Sequence, residues 1–356
     1  MATDREVDVV EMTDEDLDLA ARADDASRLE GMAIRPFTEG DEDSVNDGFN
    51  RVFRLERSLE EWAWKFPPDD RGRTIMLAEA DGELLAHYAG VPVELRLDGR
   101  DWPTAQIVDV FSTRAARAAA FGRRGVWVRT VEAFFDHFGR GGRLALLYGF
   151  PSPRPLRLGV LQLGYDAVTP QPIVHLHRRV SGRSRRLRSR LYRAEPAADW
   201  EPRLDRLWHR VRSYYPAAVV RDAAYALRRY AGHPHVRYHR FLVLPRIGSE
   251  PVGWVVLRVE NGVCQLVDLL WDRSHPGVLE LVSHLSSLLA SQTGCVSEEG
   301  WLNGDAEGLA RLQDLGFVAG PEPRQLVFVA RAFHSELDVT ALDGRIYLTM
   351  GDSDLV

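Results

Sequence analysis

Apolar residues fall in short runs from residue 32 onward, and the period of those runs changes along the chain. Val131, Phe134, Phe135 and Phe138 stand at i, i+3, i+4 and i+7, one stripe over two helical turns. Ahead of them Ala105–Ser112 reads as a strand and Thr113–Arg124 as a loop rich in Arg, Ala and Gly. Behind them Leu144–Phe150 is an apolar run closed by Pro151, as for a strand buried on both faces. Toward the N-terminus, Met32–Phe37 predicts a strand, and Ser44–Arg54 and Ser58–Phe66 predict helices, the second stopped by Pro67-Pro68. Thr74–Ala80 and Leu84–Leu97 predict strands joined by Asp81-Gly82, and Asp98-Gly99 supplies another tight turn. After Pro151 a helix carries Leu156, Gly159, Val160 and Leu163, with Gly164 placed to end it. The order is β-α-α-β-β-β-α-β-α-β, an α+β chain with a mixed sheet and helices packed on it.

A weak repeat runs through the pattern. Val108-Asp109-Val110 is echoed by Val267-Asp268-Leu269, and Leu163-Gly164-Tyr165 by Leu315-Gly316-Phe317. Trp64-Lys65-Phe66 before Pro67 is echoed by Arg229-Tyr230 before Pro234. A helix with Val278, Leu281, Val282 and Leu285 in register lies between the second set of landmarks, and one with Leu204, Leu207, Trp208 and Val211 opens that half. The second copy has no counterpart of the Arg114–Arg124 loop. This suggests one working site and one degenerate copy. The boundaries read as an acidic tail (1–31), a first domain (32–177), an arginine-rich linker (178–199), a second domain (200–335) and a tail (336–356).

Charge alters this picture at the N-terminus. The chain carries a net −7, and its first 30 residues hold eleven acidic and three basic side chains, a net of −8; the remainder sums to +1. A near-neutral body gives no general argument for nucleic acid. The arginine run 178–193 reads first as a solvated connector, then as a clamp on phosphates, and last as a tRNA contact, because its only aromatic is Tyr192, near its end. Two cysteines form no framework and no metal spacing, no apolar run is long enough to span a bilayer, and the acidic start lacks the features of a signal peptide. The expectation is therefore a cytoplasmic protein without a metal. Lys65 is the only lysine among 45 basic residues.

The best chemical clue is the strand, glycine-containing turn and helix start around Gly122-Arg123-Arg124-Gly125. Free N–H groups of a first helical turn favour an anion there. With the Glu61–Phe66 segment, the Leu-Tyr-Gly-Phe-Pro strand end and the Arg221…Pro234 stretch, this order resembles the GNAT acyl-coenzyme A N-acyltransferases, in particular those with two GNAT domains in tandem. The resemblance implies two tandem GNAT-like α+β domains, the second degenerate, over residues 32–335. It implies acetyl-coenzyme A, or another acyl-coenzyme A, as co-substrate. The binding residues would be Val110, Phe111 and Ser112 at the strand end, then Gly122, Arg123, Arg124, Gly125, Val126 and Trp127. Gly122 stands where the family has Arg or Gln, and Trp127 where it has a small residue.

Tyr148 is either a core tyrosine or the general acid toward the departing thiolate. Trp62, Trp64, His87 and Tyr88 are either packing residues or the lining of an acceptor pocket. Asp109 reads as structural, hydrogen-bonded to neighbouring backbone. The tail Tyr347–Val356 is aromatic and apolar where a frayed end would be polar, so it is expected to pack on the body. Some tandem enzymes of the resembling kind use their own terminal carboxylate as the base, a role open here to Asp352, Asp354 or the Val356 carboxylate. The implied acceptor is a small polar amine such as an amino sugar. An aminoacyl-tRNA-dependent transferase and a catalytically degenerate scaffold are the alternatives, and the sequence is silent on oligomeric state.

Overall fold

Ser58 begins the second helix because its Oγ accepts the Glu61 N–H, and Pro67 prevents the helix from continuing past Lys65. Local signals of this kind set most elements of the computed structural model, which describes residues 32–68, 72–114, 116, 125–167, 172–180 and 189–354. The first half runs β1 (Ala33–Pro36), α1 (Glu42–Phe53), α2 (Leu59–Lys65), β2 (Ile75–Ala80), β3 (Glu83–Leu97), β4 (Arg100–Ser112), α3 (Val126–Phe134), β5 (Leu146–Gly149), α4 (Pro153–Leu163) and β6 (Asp166–Ala167). Asp81-Gly82 and Asp98-Gly99 both take positive φ, which fits the hairpins β2–β3 and β3–β4 to the sheet twist. Gly164 caps α4 in the left-handed region.

The stripe at Val131–Phe138 does not form one regular helix. It passes from α3 into a π-helical turn at Phe135–Arg140, which buries Phe134, Phe135 and Phe138 together. Gly139 has no room for a side chain there, because a Cβ would lie 2.6 Å from the Phe333 ring. Strand β4 also begins five residues earlier than its apolar run, through Trp102, which is buried.

The rest of the chain adds β7 (Val174–Arg179), β8 (Tyr192–Pro196), α5 (Arg203–Val211), β9 (Ala217–Val219), α6 (Ala223–Tyr230), β10 (Tyr238–Pro245), β11 (Gly253–Glu260) and β12 (Val263–Trp271). It continues with α7 (Gly277–Gln292), β13 (Ser297–Trp301), α8 (Ala306–Asp314), β14 (Val318–Pro321), β15 (Val329–Ala332) and β16 (Ile346–Tyr347). One sheet has the order β1-β2-β3-β4-β5-β15-β6, and the other β14-β7-β13-β12-β11-β10-β8. Each sheet therefore contains a strand from the other half of the chain. β15 pairs with β5 and β6 of the first sheet, and β7 lies between β13 and β14 of the second.

The halves are also joined through β9, which pairs with β3 on one side and β16 on the other. A continuous apolar core, from Leu95 and Tyr148 to Trp254, Trp271 and Tyr347, spans the junction. Among the described residues no helix is long and apolar enough to cross a membrane, and no group of three or more His, Cys, Asp or Glu could hold a metal ion.

Candidate active site

Strands β4 and β5 pair in parallel from Thr104/Leu146 to Gln106/Tyr148 and then part, while β4 continues for six residues to Ser112. The wedge between them is the centre of the site. Its apex is marked by Gln106 and Tyr148. Beyond the end of β4, Gly125 is the N-cap of α3 with extended backbone and offers no capping side chain, so first-turn N–H groups are left for a ligand. Gly122, Arg123 and Arg124 lie outside the described residues.

Past the apex, β4 kinks at Asp109, which has a φ of 50° opposite a register shift in β3. An aspartate tolerates this conformation only at some cost, and the strand around it is held by its carboxylate. Asp109 pairs with Arg57, just before α2, and with Lys65 at 2.5 Å, in the last turn of α2. Its partners are therefore two cationic side chains rather than neighbouring backbone. Burial works against the Asp109 charge, but Lys65 and Arg57 outweigh it and hold the carboxyl well below the usual range. Lys65 also reaches Asp354 at 2.8 Å, and Gln106 Nε2 donates to the other Asp354 oxygen at 3.1 Å. Asp354 is thus tied to the apex by both oxygens while its side chain stays partly exposed.

Tyr148 is fully enclosed, packed on Phe328 and Phe150, and its hydroxyl donates to the Asp352 carbonyl at 3.2 Å. Burial, with the nearby Asp352 charge, pushes its pKa well above that of an ordinary phenol, so it keeps its proton at neutral pH. Asp352 itself is enclosed. It accepts from Arg221 at 2.6 Å and from the Thr349 N–H at 2.7 Å. Burial raises its pKa to about 6 against the pull of Arg221. Held by Arg221 and the Thr349 N–H, this side chain locks the tail in place. Val356 lies outside the described residues.

The other expected site residues divide by burial. Phe111 stacks on His87 at 5.0 Å inside the first-half core, so only its backbone can face the wedge; Val110 and Ser112 are half-buried. Val126 is buried, and half-buried Trp127 packs on the aromatic core around Phe134. Trp62 is enclosed between Phe37 and Phe66, and the Tyr88 hydroxyl meets that of Tyr165 within the core. Trp64 joins the halves, with its Nε1 donating to Ala231 O at 2.7 Å and its ring on His233. Trp62 and Tyr88 sit at core positions of α2 and β3, and half-buried Trp64 packs between the halves.

His87 Nδ1 donates to the Asp109 carbonyl at 2.6 Å, and Nε2 has no partner among the described residues. Burial pushes its pKa down to about 4, so it is neutral in the folded protein. A histidine depressed from 6.5 to about 4 is protonated first in the unfolded chain, and stability falls as pH drops through that window. The loss is about 3 kcal/mol by pH 4. Unfolding titrations of wild type and His87→Phe between pH 7 and 4 check this; a variant with the same acid slope would remove His87 as its source.

Sequence reasoning missed Arg57, Gln106, Arg221 and Arg229 as members of this site. A signal was present. The repeat extends to Gln106-Ile107-Val108-Asp109 and Gln265-Leu266-Val267-Asp268, and the basic pairs Arg57/Lys65 and Arg221/Arg229 are each eight residues apart.

With the wedge, the β4 kink and the bare helix start in place, comparison with known proteins is informative. Residues 33–157 match the acetyltransferase (GNAT) domain family. The matched segment holds the whole β4–β5 wedge and the start of α3. A comparison with curated proteins gives no match. Among solved structures, a probable N-acyltransferase from Enterococcus faecalis V583 is similar at 15% identity and a TM-score of 0.60, covering 85% of this chain and 73% of its own. A GCN5-related N-acetyltransferase from Kribbella flavida gives 16% and 0.60, covering 85% and 71%. The N-myristoyltransferase of Saccharomyces cerevisiae with bound myristoyl-CoA gives 12% and 0.55, covering 84% and 82%. At such identities the likeness is one of fold, and it extends over both halves of the chain.

Proposed function

We propose that the wedge between β4 and β5 takes an acyl-coenzyme A and that the chain transfers its acyl group, acetyl in the first instance, to a small polar amine. An amino sugar is the acceptor class to test first. The observation that carries this reading is the parting of β4 and β5 just past Gln106 and Tyr148, with the uncapped start of α3 beyond the end of β4. The pyrophosphate would meet the amides of residues 123–127, and the acyl end would point toward the apex.

In the reaction the neutral amine attacks the thioester carbon, a C–N bond forms and the C–S bond breaks. The Tyr148 hydroxyl lies at the apex and holds its proton at neutral pH, which suits it to protonate the leaving thiolate. Asp354 is the one carboxylate of the described tail that is both at the apex and partly exposed, so it is the residue to take the proton from an ammonium acceptor. The transfer is direct and needs no covalent intermediate on the protein.

Gly125→Asp tests the donor site. Aspartate is a good N-cap, so the fold should keep its melting temperature. Its carboxylate would occupy the free amides and repel a phosphate, lowering acetyl-coenzyme A affinity on the order of tenfold or more. Calorimetric titration of both forms measures this. Equal affinity would move the donor away from α3, and binding of charged tRNA in place of acetyl-coenzyme A would replace the proposal with a tRNA-dependent transfer.

A further inference from the structure

The parting of two parallel strands occurs twice. In the second half β12 and β13 pair in parallel from Val263/Ser297 to Leu266/Gly300, and β12 then runs on to Trp271. The chain's own C-terminal segment stands in this second wedge. The Tyr347 hydroxyl donates to the Leu269 carbonyl of β12 at 2.6 Å, and Thr349 Oγ1 donates to Asp268 Oδ1 at 2.9 Å. On the other side Leu348 exchanges both backbone hydrogen bonds with Asn303, two residues beyond β13. Residues 346–352 therefore lie between the two parted strands, with Tyr347, Leu348 and Met350 buried.

The cations that hold the segment are duplicated as well. Arg221 precedes α6 and Arg229 lies in its last turn, as Arg57 precedes α2 and Lys65 lies in its last turn. Arg221 pairs with Asp268 at 2.9 Å and Asp352 at 2.6 Å, and Arg229 donates to the carbonyls of Gly351 at 3.1 Å and Ser353 at 2.8 Å. From the first half, Lys65 bridges Asp109 and Asp354. Both copies of the repeat thus grip the same short stretch. The only lysine of an otherwise arginine-based chain stands where a compact ammonium fits between two carboxylates beside the Arg57 fork.

We propose that residues 346–354 are an intramolecular ligand of the second half, filling the wedge that corresponds to the acyl-coenzyme A wedge of the first, and that Lys65 is the first half's ionic hold on it, beside the Gln106 and Tyr148 hydrogen bonds. Lys65 is a positioning residue: through it the occupied second wedge fixes the Asp354 carboxylate at the apex of the first. The use of that carboxylate in acyl transfer rests on the function proposed above; the occupancy and the hold do not.

The turn at Asp343-Gly344 is exposed, so a protease site inserted there allows the folded full-length chain to be cut. The cut protein should retain residues 345–356 through gel filtration, and an added labelled peptide of that sequence should exchange in slowly. Lys65→Met and Asp354→Asn should each speed exchange about tenfold, as expected for a partly buried ion pair. Together they should act less than multiplicatively, and Lys65→Arg should recover part of the loss. Immediate loss of the segment from the cut wild-type protein would overturn the ligand role. Multiplicative effects, or equal exchange in Lys65→Met and wild type, would overturn the role of Lys65. Melting temperatures of the uncut variants guard against a general folding defect. Acetyl-coenzyme A titration of the uncut wild type is a separate arm: its failure would remove the acyl-transfer reading and leave the exchange result standing.

Discussion

Tyr148→Phe should lower acyl-transfer turnover on the order of 10²-fold while leaving acetyl-coenzyme A affinity unchanged. The ring would still pack on Phe328 and Phe150, so the core keeps its shape. What disappears is one hydroxyl at the apex, held protonated by burial and by the Asp352 charge. That hydroxyl also donates to the Asp352 carbonyl, and losing it costs about 1 kcal/mol of stability. The two roles separate cleanly. A structural tyrosine would show the stability loss with normal turnover, whereas an acid would show the turnover loss with unchanged donor affinity. Steady-state kinetics beside thermal unfolding decides, and equal turnover in the two forms would remove Tyr148 from the chemistry.

The elements that make this site were largely legible from residues 32 to 163, because their signals are local. Ser58 as a cap, Asp-Gly pairs with positive φ and the Val131–Phe138 stripe each act within a few positions. The exchange of β7 and β15 between the sheets was not legible. Each is a short segment, Val-His-Leu-His-Arg-Arg in β7 and Val-Ala-Arg-Ala in β15, and nothing in its own residues says which of two similar sheet edges it will join. The apex was half legible. Tyr148 and Asp354 stood out by type and place, but Lys65 and Gln106 acquire meaning only when a tail some 250 to 290 positions away folds onto them. Asp109 and Asp268 were visible as an echo, while their cations were hidden among the many other arginines. Trp62 and Tyr88 drew attention because aromatics line pockets as readily as cores, and only enclosure by Phe37, Phe66 and Tyr165 separates the two.

The largest loss of stability should follow Arg221→Met. Arg221 is fully buried and is the only described cation paired with both Asp268 and Asp352, each of them buried too. Removing it leaves two carboxylates facing one another without their shared cation, a change that costs about 3–5 kcal/mol in buried pairs. The loss should depend on pH. Burial, outweighing Arg221, sets the Asp352 pKa at about 6, above that of the unfolded carboxyl. The stability this proton confers is present below the unfolded pKa and fades as pH rises through about 6. Without Arg221 the folded-state pKa rises further, so Asp352 stays protonated to higher pH and the variant should fare better at pH 5 than at pH 7.5. Arg221→Met with Asp268→Asn and Asp352→Asn should recover part of the loss, since no uncompensated charge then remains. Tyr225 and Tyr230, which donate to Asp268, can equally donate to an amide oxygen. Urea unfolding of the three proteins at both pH values tests the argument. A single-variant loss below about 1 kcal/mol, or no recovery in the triple variant, would mean that packing of Tyr347 and Leu348, rather than this charge cluster, holds the C-terminal segment in its wedge.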